Sequence, residues 1–259
     1  TNLVQPLYEM GVVGVFTKEL DQALLQNEVD LCVHSMKDVP TQLPEGIVTG
    51  FVPQRGRAGD VFVFQEKDWE SLPQRTIATS SLRRQAQWLF TYKNDRVVPL
   101  RGNIQTRLDK IKANNWNGAI FAQAGLERLS TNPAIYTPID WMVPAPAQGA
   151  VLVTTRIEEI KLLENIKSLS HMPTQDCVGA EREFLRALQG GCSAPIGAHA
   201  RVQNNRISFV GSVTAPDGSQ HVEVRESYDR QDRDIGKKAA EILVRRGGKQ
   251  LLDKLKNHD

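Results

Sequence analysis

Leu188-Gln189-Gly190-Gly191-Cys192-Ser193-Ala194-Pro195-Ile196-Gly197 sets a single thiol on a short loop. Two glycines open backbone conformations closed to other residues, and Pro195 stiffens the far side. A reachable thiol suits nucleophilic attack or covalent attachment once its thiolate is favoured. A structural turn that happens to hold a cysteine has the same local pattern. The arginines carry a second signal. Arg83 and Arg84 follow Ser80-Ser81 at a helix start, Arg101 follows a strand, Arg107 lies one turn into the next helix, and Arg128 follows another strand. Arginine grips carboxylates and phosphates with a bidentate fork, and free N–H groups at a helix start add to that grip. Five arginines converging would suit a ligand with many carboxylates; singly, each reads equally as a solvated charge. Asp38, beside Lys37 and near His34, is the candidate acid–base group. An Asp-x-Pro loop cap is the plainer reading of Asp38, and a satisfied, partly buried histidine that of His34. Cys32 and Cys177 read as inert core residues.

The elements that must position these groups alternate strand and helix. A helix is predicted over 16–26, then strands at 29–33, 47–52 and 61–64, with a polar, glycine-rich crossing at 53–60. Strands at 76–79, 97–100 and 118–122 alternate with helices opening at Ser80, after Asn103 and at Ala124. Such alternation predicts parallel sheets with helices on both faces and ligands at the carboxyl ends of the strands. A second crossing, Pro144-Ala145-Pro146-Ala147-Gln148-Gly149, precedes a strand at 150–155 and a helix at 158–170. Two crossings around one α/β unit predict a chain that leaves a first domain, builds a second and returns. From Thr174 the texture changes. A helix capped by Thr174, with Asp176 in its first turn, leads to three strands with an Asp217-Gly218 hairpin turn. A last helix from Ile235 stops at Gly247-Gly248.

The 259 residues carry a formal net charge of +2. That balance, and the lack of aromatics interleaved with the arginines, argues against a nucleic-acid partner. No apolar run of transmembrane length and no signal pattern is present. Three cysteines, far apart and without Cys-x-x-Cys spacing, argue against a disulfide framework or a zinc site and point to a reducing compartment.

Six segments then appear in order: Val33-His34-Ser35-Met36-Lys37-Asp38-Val39-Pro40, Thr79-Ser80-Ser81-Leu82-Arg83-Arg84, Leu100-Arg101-Gly102-Asn103 with Thr106-Arg107-Leu108, Ala124-Gly125-Leu126, Gln148-Gly149-Ala150, and Glu181-Arg182 with Gly190-Gly191-Cys192. Together they resemble the porphobilinogen deaminase (hydroxymethylbilane synthase) family from about Phe16 to the C-terminus. The resemblance implies two doubly wound α/β domains like those of periplasmic binding proteins, and a small α+β third domain. The first would span 1–52 with 150–170, the second 53–149 and the third 171–259. It implies a dipyrromethane cofactor in thioether linkage to Cys192, held by Ser81, Arg83, Arg84, Arg101, Arg107 and Gln148. Asp38 and Lys37 would serve catalysis, and Arg128, His34 and Ser35 would meet the substrate. The implied reaction joins four porphobilinogen units head to tail with loss of ammonia, then releases hydroxymethylbilane by hydrolysis. A cytoplasmic monomer with no metal and no membrane partner is expected.

The chain departs from the family's usual pattern at its start. It opens at Thr1 without the strand and Arg-x-Ser-Pro-Leu-Ala segment common there, and Glu9 and Val13 stand where lysines are expected. The residues present are therefore expected to lack an edge of the first domain and some substrate contacts. A non-catalytic two-lobed binder of a polycarboxylate is the alternative. Cys192 argues against it, because a passive binder needs no tether.

Overall fold

The computed structural model describes residues 17–129, 136–189 and 194–256. Helix α1 (Lys18–Leu25) buries Leu24 against Cys32 and Ile47. Strands β1 (Cys32–Ser35) and β2 (Ile47–Phe51) follow, with a single 3-10 turn, Met36–Asp38, directly after β1. The crossing 53–60 then leads into a second unit: β3 (Asp60–Phe64), β4 (Thr76–Ala78), α2 (Leu82–Thr91), β5 (Arg96–Val98), α3 (Ile104–Ala113), β6 (Gly118–Ala122), α4 (Gln123–Arg128) and β7 (Tyr136–Pro138). These strands form one sheet in the order β5-β4-β6-β3-β7. Its two faces bury different residues, as the two-residue period of a strand requires. Val61, Val63, Ala119 and Phe121 pack with Leu108, Ile111 and Leu126 of α3 and α4. Phe62 and Ile120 pack on the other side with Trp69, Trp88 of α2, Ile139 and Met142.

After the second crossing the chain returns as β8 (Val151–Arg156), which inserts between β1 and β2 and pairs antiparallel with both. Helix α5 (Ile160–Ile166) and a 3-10 turn lead to α6 (Met172–Ala187). Strands β9 (Ile196–Gln203), β10 (Arg206–Thr214) and β11 (His221–Asp229) form an antiparallel meander. Helix α7 (Ile235–Leu243), a π turn and α8 (Lys249–Lys256) complete it. Phe184 of α6, Phe209 and Val213 of β10, and Ala239 and Leu243 of α7 share one core.

The architecture is thus α/β, with helices on both faces of the middle sheet and a small α+β unit at the end. Strand direction is more mixed than alternation alone suggests. Only β4 pairs parallel with β5 and β6, whereas β3 runs antiparallel to β6 and β7. Thr174 does not cap α6. His171 is the capping residue, Pro173 occupies the first turn, and Thr174 Oγ1 instead accepts from Arg55 N at 3.1 Å. Asp176 lies beyond the first turn and pairs with Arg230 at 2.7 Å. Gly247-Gly248 does not end the last helical stretch. Gly247 takes a φ of 102° at a kink from which α8 continues. β7 carried no strand signal in three residues ending on Pro138.

Candidate active site

The crossings lie against each other, and the charged groups collect around them. Gly149 has a φ of +83°, and a Cβ there would stand 2.8 Å from the Arg57 carbonyl oxygen, so only glycine fits. Gly56 N donates to Gly149 O at 3.1 Å, one crossing to the other. Gln148 is 1% exposed. Its amide donates to Ala58 O at 2.7 Å and to Asp60 Oδ1 at 3.0 Å, and its Oε1 receives Arg83 Nη2 at 3.5 Å.

Arg83 and Arg84 turn inward. Ser81 caps α2 by accepting from Arg84 N at 3.4 Å, which fixes both arginines on the first turn. Arg83 Nη2 lies 2.8 Å from Asp60 Oδ2 and Arg84 Nη2 lies 2.8 Å from Asp60 Oδ1. Arg83 also donates to Val143 O and Arg84 to Ile120 O. Burial pushes the Asp60 carboxyl up, but Arg83, Arg84 and Gln148 more than reverse this and hold it below the usual carboxylate range. Arg83, buried beside Arg84, has its own pKa lowered, with Asp60 opposing the fall. Two arginines read as open grips for a ligand are therefore already neutralised in part by an internal acid.

The turn after β1 faces this group from the other sheet. Lys37 is partly buried. Burial first, then Arg84, push its ammonium down to about 8; Arg83 adds to the fall, while Asp38 and Asp60 oppose it. Arg107 is lowered by burial first and then by Arg84 and Arg101, with Asp38 acting against them. Lys37, Asp38, Arg83, Arg84, Arg101 and Arg107 thus share one electrostatic neighbourhood. Asn103 caps α3, accepting from Thr106 N at 2.8 Å, and Arg107 Nε donates back to Gly102 O at 2.7 Å. Lys110 Nζ donates to Arg101 O at 3.0 Å, tying down the loop between β5 and α3.

The other expected residues lie further out. His34 is buried on β1 with Nε2 at 3.3 Å from Thr154 Oγ1. Burial lowers its pKa, Asp21 opposing, so it stands as a satisfied core histidine facing α1. Ser35 is exposed at the end of β1, on the face opposite His34. Arg128 is exposed, and its Nη2 donates to Gly149 O at 2.7 Å at the crossing. Cys192 falls outside the described residues, as do Glu9 and Val13.

Sequence reasoning missed three anchors: Asp60, Arg55 and the structural part of Glu181. Glu181 is fully buried on α6. It takes Arg55 in a bidentate pair, 2.6 Å and 3.0 Å, and accepts from Ala147 N and Ala200 N, each at 2.7 Å. Burial pushes its carboxyl up, but Arg55 and His199 bring it down to about 2. A lone acidic residue on the apolar face of a helix, with an arginine in a glycine-rich crossing, was the available signal.

Family comparison places the chain among known proteins. The family model described as porphobilinogen deaminase, dipyromethane cofactor binding domain, matches residues 1–164, and that of the porphobilinogen deaminase C-terminal domain matches 175–245. The chain belongs to the porphobilinogen deaminase family. A porphobilinogen deaminase of Pelotomaculum thermopropionicum is 42% identical over 98% of this chain and 83% of its own length. One from Staphylococcus carnosus is 36% identical over 96% of this chain and 82% of its own. A probable amino-acid ABC transporter extracellular-binding protein from Bacillus subtilis is 15% identical, covers 60% of this chain and 68% of its own, and superposes with a TM-score of 0.38, too slight to argue from. Membership in the porphobilinogen deaminase family makes the chain a transferase of haem and tetrapyrrole biosynthesis, and the non-catalytic binder reading gives way to it. Its first 164 residues match the domain that binds the dipyrromethane cofactor in that family. No helix among the described residues is long and apolar enough to cross a membrane.

Proposed function

We propose that this chain joins four porphobilinogen units head to tail, each with loss of ammonia, and then releases hydroxymethylbilane by hydrolysis. The cofactor is dipyrromethane attached through Cys192, and when bound it supplies the pyrrole end on which the chain is built. The donor set suits such a group. Each pyrrole brings acetate and propionate side chains, and Lys37, Arg83, Arg84, Arg101 and Arg107 present concentrated positive charge within one neighbourhood. Ser81 and Gln148 hold the two buried arginines in place.

The observation that carries the reading is the meeting of one acid with those cations. Asp38 sits on a 3-10 turn at the end of β1, in the electrostatic field of Lys37 on its own turn and of Arg107 on α3. A carboxylate there accepts hydrogen bonds from pyrrole N–H groups. It also stabilises the positive charge that develops on a pyrrole as its ammonia leaves. Lys37 and the arginines meanwhile neutralise the carboxylates of the growing product. Arg128, at the crossing, meets the incoming substrate, with Ser35 on the exposed side of β1.

The three sheets support a division at the two crossings, with 1–52 and 150–170 as the first domain, 53–149 as the second and 171–259 as the third. Motion at 53–60 and 144–149 would make room for a lengthening chain. The net charge of +2 gives no electrostatic case for a nucleic-acid partner, and we expect a cytoplasmic monomer. The deciding experiment is the intact mass of the denatured protein with peptide mapping. An added mass of two linked pyrroles on the Cys192 peptide, absent from Cys192→Ser, supports the attachment. A cofactor-loaded Cys192→Ser protein sinks it.

A further inference from the structure

Arg182 follows Glu181 on α6 and reaches a different part of the molecule. Its Nη1 donates to Met36 O at 3.2 Å and to Val39 O at 2.9 Å, and its Nη2 donates to Pro40 O at 2.5 Å. Those three carbonyls bracket Lys37 and Asp38. Among the described residues, the backbone bonds at the turn include Met36 N to Ala150 O at 3.1 Å and Val39 N to Met36 O at 3.3 Å. Its apolar side chains are secured separately. Met36 and Val39 are buried with Val52, Leu152 and Val178, the last on α6. The turn is thus held by apolar packing below and by one guanidinium fork across its carbonyls.

We propose that Arg182 is a positioning residue for the condensation: from α6 it fixes the 36–40 turn so that Asp38 stays opposite Arg107 and Lys37 stays against Arg83 and Arg84. It acts through Asp38, so the proposal rests on the catalytic reading of that residue. The chemistry suits arginine alone. Its planar fork offers several N–H donors at fixed angles, whereas a lysine ammonium is a single compact charge. One turn of α6 therefore governs two things. Glu181 ties it to both crossings, and Arg182 ties it to the turn that bears the acid. A shift of α6 moves the acid and the crossings together.

The test uses cofactor-loaded enzyme with Arg182→Lys and Arg182→Met. Porphobilinogen turnover, Ehrlich-reactive cofactor content and amide hydrogen exchange across residues 36–39 are measured on each. The fold is expected to survive, because Met36 and Val39 remain packed. Cofactor content should equal the parent's and KM should stay within about twofold. Turnover should fall by about tenfold or more in Arg182→Met, since a misplacement of about 1 Å can cost far more than that. Arg182→Lys should lie between. Exchange should quicken at 36–39 and nowhere else. A variant with parental turnover overturns the proposal, and so does one whose turn keeps parental protection. If Arg182→Met does not fold, Arg182→Lys decides by the same two readouts. An active Asp38→Asn enzyme would instead remove the catalytic reading of Asp38, an outcome that the exchange data alone would not produce.

Discussion

Arg55 and Glu181 meet in a two-pronged pair, Nη1 to Oε1 at 2.6 Å and Nη2 to Oε2 at 3.0 Å, with the carboxylate fully buried. The pair joins the first crossing to α6, while Arg55 Nε reaches Gln148 O on the second crossing at 2.8 Å. Ala147, at a φ of 61°, is held in the left-handed region by the same carboxylate through its N–H.

Removing Arg55 leaves a buried charge with only backbone donors and His199 beside it. Arg55→Met should destabilise the protein by about 3–5 kcal/mol at neutral pH. The folded pKa of Glu181, about 2, lies below its ordinary 4.5. Its contribution is therefore present in full above the unfolded pKa and lost as pH falls toward 2. Without Arg55 that contribution is already missing, so the gap between variant and parent should narrow in acid. Urea unfolding at neutral pH and near pH 4 measures both; equal stability at neutral pH would refute the role of the pair.

Asp60 faces two guanidinia with a single carboxylate. Asp60→Asn strands Arg83 and Arg84, 4% and 7% exposed, without their counter-charge. Arg84→Met leaves an intact Arg83–Asp60 pair. The first change should therefore cost more stability than the second, about 3–5 kcal/mol against a smaller loss. Urea midpoints of the two variants decide it; the reverse order would mean that Asp60 is not the hub of this cluster.

The strand–helix alternation, the arginine positions and the order of the short motifs were legible because each is local in sequence. The Gln148, Asp60 and Arg83 cluster was not, since its members come from two crossings and a helix start that only the fold brings together. The antiparallel insertion of β8 between β1 and β2 is of the same kind, because pairing direction leaves no mark in apolar runs. Thr174 misled for a local reason. Its spacing suits a cap, but Pro173 moves the helix start upstream and frees the hydroxyl for Arg55 N. His34 was read both as a core histidine and as a substrate contact. Its partner Thr154 lies on β8, on the return strand, and only there does the core reading gain its support.

The Asp38 carboxylate makes no hydrogen bond or ion pair among the described residues, although it lies in the field of Lys37 and Arg107. Asp38→Asn should therefore leave stability within about 1 kcal/mol of the parent. Loss of its charge should cut turnover by about a hundredfold or more, as removal of preorganised electrostatic stabilisation does. Thermal unfolding and a porphobilinogen consumption assay, run on the same preparation, separate the two effects. Near-normal turnover would take Asp38 out of the mechanism.

Lys37 yields a test of opposite sign. Its pKa is pushed from 10.5 down to about 8, burial and Arg84 leading, so the folded state holds the proton less tightly than the unfolded chain does. Folding is penalised below the folded value, and stability recovers as pH rises from about 8 toward 10.5. Lys37→Gln should then be more stable than the parent at neutral pH. Substrate carboxylates act the other way: they stabilise the ammonium, so binding should draw in a proton at alkaline pH. KM for porphobilinogen should rise as pH climbs through 8 in the parent. The rise should vanish in Lys37→Arg, whose charge persists across that range. A parent KM that stays flat, or the same rise in Lys37→Arg, would show that Lys37 does not carry this binding charge.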